Sequence, residues 1–181
     1  MLLIGTVAAV ALYSISFAMS GNNFTILAQQ DLETKKYRNM VIDLGDGVKT
    51  RAQLTLPAVG NGPFPGVLLI HGSGNTDMNE TSGKPFWEIS EYLSERGFAV
   101  LRYDKRGIGE GGTIINTSIW GNMTINDLIE DSKKALNVLM QQPEVDPKRI
   151  SLVGHSEGTI IAPRVAIDNS TNVKNIVIMG V

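Results

Sequence analysis

The sequence predicts an α/β domain in which a mostly parallel sheet carries helices on both faces. Short continuous apolar runs at 66–70, 98–101, 150–153 and 175–179 have the length of strands buried on both sides. Segments with apolar residues at helical spacing lie between them, and glycine or proline marks most of the junctions.

The first twenty residues are of another kind. Residues 2–19 are apolar apart from small, hydroxylated or Tyr positions, and no Lys or Arg occurs before Lys35. Ser16, Ala18 and Ser20 make an export-peptidase pattern ahead of Gly21-Asn22-Asn23, so residues 1–20 are expected to be a signal peptide or an N-terminal membrane anchor. Membrane attachment, if retained, runs through residues 2–19. Asn23, Asn79, Asn116, Asn122 and Asn169 each open an Asn-x-Ser/Thr pattern, which points the same way. The expected location is extracellular, or anchored to a membrane and facing outside. Residues 21–37 read as a linker and 38–181 as the folded domain.

Within that domain, 39–43 and 49–56 read as an antiparallel pair joined at Gly45-Asp46-Gly47, residues that tolerate positive φ. Gly/Pro punctuation at 60–65 precedes the first buried run. Phe86, Ile89, Tyr92 and Leu93 give a helix over 86–96 closed by Gly97. Thr124 followed by Asp127 resembles a capping box, with Asp in place of Glu or Gln, and opens a helix to about Gln141. A further helix is expected over 156–167, after the third buried run.

Composition narrows the function. At 43% hydrophobic and 19% charged the chain is globular, and a net charge of −2 supplies no single-signed field for nucleic acid. No basic run is interleaved with aromatics, so nucleic acid is not an expected partner. With no cysteine there is neither disulfide nor thiolate nucleophile, and no cluster of His and carboxylates has metal-ligand spacing. No metal and no cofactor is expected. The oligomeric state is left open by the sequence.

Two motifs carry chemistry. Gly154-His155-Ser156-Glu157-Gly158 stands between a buried strand and a helix, the context in which a serine is held on a sharp turn with its hydroxyl lifted clear of the sheet. Glycines let strand and helix pass closely, and the Glu157 backbone N–H falls at a helix start, where unpaired donors and the helix dipole favour negative charge. Ser156 is therefore the candidate nucleophile and the Glu157 N–H half of an oxyanion hole. His71-Gly72-Ser73-Gly74, directly after the first buried run, can present the second donor from Ser73 or Gly72.

These motifs, with Arg102-Tyr103-Asp104-Lys105-Arg106-Gly107 and the run Pro143 to Ile150 ahead of the elbow strand, make the chain similar to the α/β-hydrolase family. The likeness is to exported esterases related to dienelactone hydrolase and the prolyl oligopeptidases, and it covers residues 39–181. It implies an α/β-hydrolase fold, hydrolysis of carboxylic esters or related small acyl substrates through an acyl-enzyme on Ser156, and a Ser–Asp/Glu–His triad in that chain order.

The chain departs from that pattern after Ser156, where no histidine follows and Asp168 is the one remaining acid beyond Glu157. The fold is thus expected to be incomplete at its C-terminal side, with triad acid and base missing and turnover by these residues alone negligible. His71 and His155 are expected to order the loops around Ser156, His71 through hydrogen bonds, rather than to act as the base. Asp168 belongs to the far end of the nucleophile's own helix. Asp104, Lys105 and Arg106 are expected to anchor loops. The alternative to an enzyme is a hydrolase-like domain that binds without turnover. Gly107-Ile108-Gly109-Glu110-Gly111-Gly112 matches a dinucleotide fingerprint, but β-branched, loop-like residues follow where a helix should open.

Overall fold

The computed structural model describes residues 14–20, 23–29, 36–80 and 83–180. The chain divides into two units, 1–34 and 35–181. In the first, β1 (Ser14–Ser20) pairs antiparallel with β2 (Asn23–Gln29), from Ser14 opposite Gln29 to Ser20 opposite Asn23. The expected leader thus ends in a strand, and its residues 1–13 lie outside the described residues. Among the described residues no helix is long and apolar enough to cross a membrane. The 21–37 segment expected as linker contains β2.

The second unit opens with β3 (Lys36–Gly45) and β4 (Val48–Leu56), paired antiparallel. Their connection runs through Gly45, Asp46 and Gly47, all at positive φ (81°, 53° and 74°), a geometry that few other residue types accept. There follow β5 (Phe64–Ile70), α1 (Pro85–Ser94), β6 (Ala99–Tyr103), a short 3-10 turn (Glu110–Gly112), α2 (Thr117–Asn122), α3 (Ile125–Met140), β7 (Val145–His155), α4 (Gly158–Asp168) and β8 (Val173–Met179). The sheet order is β3-β4-β6-β5-β7-β8. β4 meets β6 antiparallel, while β6, β5, β7 and β8 are mutually parallel. This is the mostly parallel sheet expected from the sequence.

The continuous apolar runs have their expected cause. Leu68 and Ile70 of β5 face a core shared with Leu54, Leu101 and Leu152, under Leu136 and Leu139 of α3 and Ile161 and Val165 of α4. Val67 and Leu69 of the same strand face the opposite side, with Val100, Val153 and Phe86 of α1. Helices therefore cover both faces, and alternation along a central strand sends apolar side chains to each.

Two elements differ from expectation. α2 occupies a stretch read as loop; the Asn116 side chain accepts from the Ile119 N–H at 3.0 Å and starts a helix from residues of weak propensity. β7 begins five residues before the apolar run at 150–153, because Val145 and Asp146 pair with Phe64 and Pro65 before an irregularity in register. Parallel pairing places the C-terminal ends of β5, β6, β7 and β8 along one edge, where α/β sheets bind ligands.

The cap of α3 supplies a test. Thr124 and Asp127 form a reciprocal capping box, and the Thr124 N–H and hydroxyl, in that order, hold the Asp127 carboxyl below its usual range. Thr124→Ala is expected to cost about 1 kcal/mol in urea unfolding at neutral pH. A depressed folded-state value means that stability from Asp127 is present above the unfolded-state value, about 3.9, and fades as pH falls through the folded one. The gap between wild type and variant is therefore expected to narrow in acid.

Candidate active site

β7 ends at His155, and α4 starts at Gly158. Between them Ser156 takes φ 49°, a left-handed conformation that costs a residue with a Cβ about 1–3 kcal/mol and persists only where its surroundings over-determine it. Three hydrogen bonds do so here. The Ser156 N–H donates to Met179 O at 3.0 Å, and Ser156 O accepts from the Thr159 N–H at 2.9 Å and the Thr159 hydroxyl at 2.6 Å.

The glycines of the motif serve close approach. A Cβ on Gly158 would run into the backbone carbonyl of Ile70 at the end of β5, and one on Gly154 into the carbonyl of Gly158. The helix start is thereby pressed onto β5 and β7, which throws the serine outward. A Cβ on Gly72 would lie 3.1 Å from both the Ser156 Cβ and His155 Nδ1, so the loop after β5 is in van der Waals contact with the elbow. Ser73, Ser156, Glu157, Thr159, Ile160 and Gly180 line one cavity of about 400 Å³. Among the described residues the Ser156 hydroxyl and the N–H groups of Ser73 and Glu157 have no hydrogen-bond partner.

The expected donor from Gly72 is corrected. Its N–H donates to the buried carboxylate of Glu80, while the Ser73 N–H has no partner among the described residues. Glu80, itself at φ 64°, also brings Oε2 within 3.2 Å of His155 Nδ1, without the alignment of a hydrogen bond.

The expectation that His71 orders its loop by hydrogen bonds is corrected too. Both ring nitrogens are buried without a partner among the described residues, and the ring packs on Tyr103 with centroids 4.9 Å apart. Burial first, then the nearby Lys105 charge, lowers its pKa to about 3, so the ring is neutral at physiological pH. It shapes the loop by packing.

The charged run after β6 anchors loops. Buried Asp104 accepts from Arg51 Nε at 2.7 Å and from the Met78 N–H at 2.8 Å; burial raises its pKa despite those bonds. Arg106 grips Asp131 of α3 with two bonds of 2.7 Å. Lys105, 1% exposed, reaches the site itself: Nζ donates to Gly72 O at 2.6 Å and to Glu157 Oε2 at 2.9 Å. Reasoning from sequence passed over Glu80, which no motif marks, and assigned Lys105 to anchoring without placing the anchor.

The other candidates fall away on geometry. Asp168 sits at the far end of α4, roughly 15 Å along its axis from the elbow, and pairs with Lys133 at 2.5 Å. The Gly107 to Gly112 segment ends in the 3-10 turn, and a Cβ on Gly107 would lie 2.9 Å from the backbone of α2, so that glycine serves packing rather than a pyrophosphate. A larger cavity of about 710 Å³ lies over β3, β4 and β6, lined by Gln53, Trp87 and Arg102 among others, and contains no activated nucleophile.

Comparison with known proteins identifies the family of the fold. The sequence profile described as the alpha/beta hydrolase fold matches residues 65–181. Esterase EstD of Thermotoga maritima is 38% identical over 117 residues, covering 63% of this chain and 26% of that protein. The putative hydrolase YtaP of Bacillus subtilis is 26% identical over 146 residues, 74% of this chain and 49% of its own length. The chain thus spans between about a quarter and a half of these two relatives. Among solved structures, the dienelactone hydrolase of Anabaena variabilis superposes with a TM-score of 0.61 at 20% identity, over 80% of this chain and 62% of its own. A dienelactone hydrolase-like promiscuous phosphotriesterase from metagenomic libraries gives 0.62 at 20%, over 80% and 59%. At such identity these two show the fold alone.

Gly158→Ala is expected to lower stability by about 1–3 kcal/mol in urea unfolding, because the carbonyl it meets belongs to a central strand and cannot yield. Gly121→Ala in α2, where nothing lies within 4 Å of the added Cβ, is expected to be neutral or stabilising by up to about 1 kcal/mol.

Proposed function

Because the chain belongs to the α/β-hydrolase fold family, we propose that it is the nucleophile-bearing part of a serine hydrolase acting on carboxylic esters. One observation carries the proposal: Ser156, held at φ 49° between strand and helix, shares a cavity with Ser73 and Glu157. In the proposed reaction Ser156 Oγ attacks the ester carbonyl carbon as a base removes its proton. The N–H groups of Ser73 and Glu157 take the developing oxyanion, each donor being worth about 3–4 kcal/mol in the transition state. Collapse expels the alcohol, which takes the proton from the base, and water then releases the acid from the acyl-enzyme. The base is proposed to be a histidine oriented by a carboxylate, following Ser156 in chain order as in the rest of the family. No histidine lies between Ser156 and Val181.

The choice of esters is supported by the 38% identical Esterase EstD. The apolar leader and the five Asn-x-Ser/Thr patterns support placing the domain outside the cell or at the outer face of a membrane.

A fluorophosphonate probe is expected to label the full-length protein at Ser156 and to leave Ser156→Ala unlabelled. Ester hydrolysis by that variant is expected to fall by about 10⁴-fold or more. A folded full-length protein that neither takes the probe nor turns over short-chain aryl esters would instead be a hydrolase-shaped binding domain.

A further inference from the structure

Lys105 is buried among groups that belong to two different loops of the site. Its ammonium donates to Gly72 O at 2.6 Å and to Glu157 Oε2 at 2.9 Å, and these are the only two hydrogen bonds it makes among the described residues. A buried ammonium is retained only where it is paired and hydrogen-bonded, so both contacts are strongly held.

The consequence lies in the peptide that Gly72 shares with Ser73. Its carbonyl and the Ser73 N–H belong to one planar trans unit and point in opposite directions. Drawing the carbonyl onto the ammonium therefore turns the Ser73 N–H away from Lys105, and Ser73 lines one cavity with Ser156. A cation on the carbonyl also withdraws electron density from the amide and strengthens its N–H as a donor. On the other side of Gly72, the N–H is held by Glu80, so the residue is fixed at both its polar groups. The second contact of Lys105 is to the side chain of Glu157, whose own N–H is the other donor.

We propose that Lys105 is a positioning residue for the oxyanion hole, coupling the Ser73 and Glu157 amides through one buried cation. The proposal rests on Ser156 being the nucleophile of an ester hydrolase. It assigns Lys105 an effect on the transition state, where negative charge reaches those amides, and little effect on substrate binding.

The test uses the full-length protein. Wild type is first treated with a fluorophosphonate probe; failure to label at Ser156 removes the hydrolase reading itself, whatever Lys105 does. With labelling established, Lys105→Met is expected to lower kcat by about 10²-fold or more with KM within about threefold of wild type. Lys105→Arg, which keeps a cation at the same place, is expected to recover at least a tenth of the wild-type kcat. Should Lys105→Met fail to fold, Lys105→Gln, which keeps a neutral donor there, is read in its place, with kcat down at least about tenfold at unchanged KM as the expected result. A folded Met or Gln variant whose kcat stays within about threefold of wild type overturns the proposal. So does a loss confined to KM.

Discussion

The site depends on how closely α4 passes over the ends of β5 and β7. Gly154 and Gly158 are the contact points, and the carbonyls of Ile70 and Gly158 occupy the space that their side chains would need. That approach leaves no room for a gradual turn, so the chain reverses through a single left-handed residue, Ser156. The strain is local and modest. It is held by a hydrogen bond from Ser156 to Met179 and by two from Thr159, so strand β8 and the first turn of α4 both contribute to keeping a hydroxyl at the cavity wall.

Around this bend the polar groups form a connected set. Glu80 takes the Gly72 N–H and approaches His155; Lys105 takes the Gly72 carbonyl and the Glu157 carboxylate. Elements from β5, β6 and β7 are thereby joined at their C-terminal ends by charges that are largely withdrawn from water. Asp104 and Arg106 extend the same strategy outward, to β4 and the loop at Met78 on one side and to α3 on the other. Such buried groups contribute little net stability against an apolar alternative, but an unpaired one is costly, and that asymmetry selects one arrangement of the loops.

Much of this architecture is legible residue by residue. The run from Gly66 to Ile70 reads as a strand buried on both faces, and Leu68 and Val67 do enter opposite cores. Thr124 and Asp127 read as a helix start and form the reciprocal cap. Gly154, Ser156 and Gly158 carry a spacing that, between a strand and a helix, suits a sharp turn. The six residues of α2 escaped the reading because, behind the local Asn116 cap, their propensity is weak and their helix packs on Gly107, a contact set by the surroundings. β7 starts earlier than its apolar run because its first residues follow Phe64 and Pro65 instead of a pattern of their own.

Sequence by itself determined the class of fold, the turn that holds Ser156 and the loop that approaches it, since each follows from periodicity or from the backbone freedom of particular glycines. Tertiary structure alone decided which amide of that loop is free. Gly72 and Ser73 are equivalent as donors on paper, and only the folded chain brings Glu80 to one and leaves the other without a partner among the described residues. It likewise decided that His71 is a neutral packing group on Tyr103 and that Lys105 spans the site. Hydrogen bonds between residues 33 and 52 positions apart leave no periodic trace in the chain, because they are made by loops whose only common property is the edge at which their strands end.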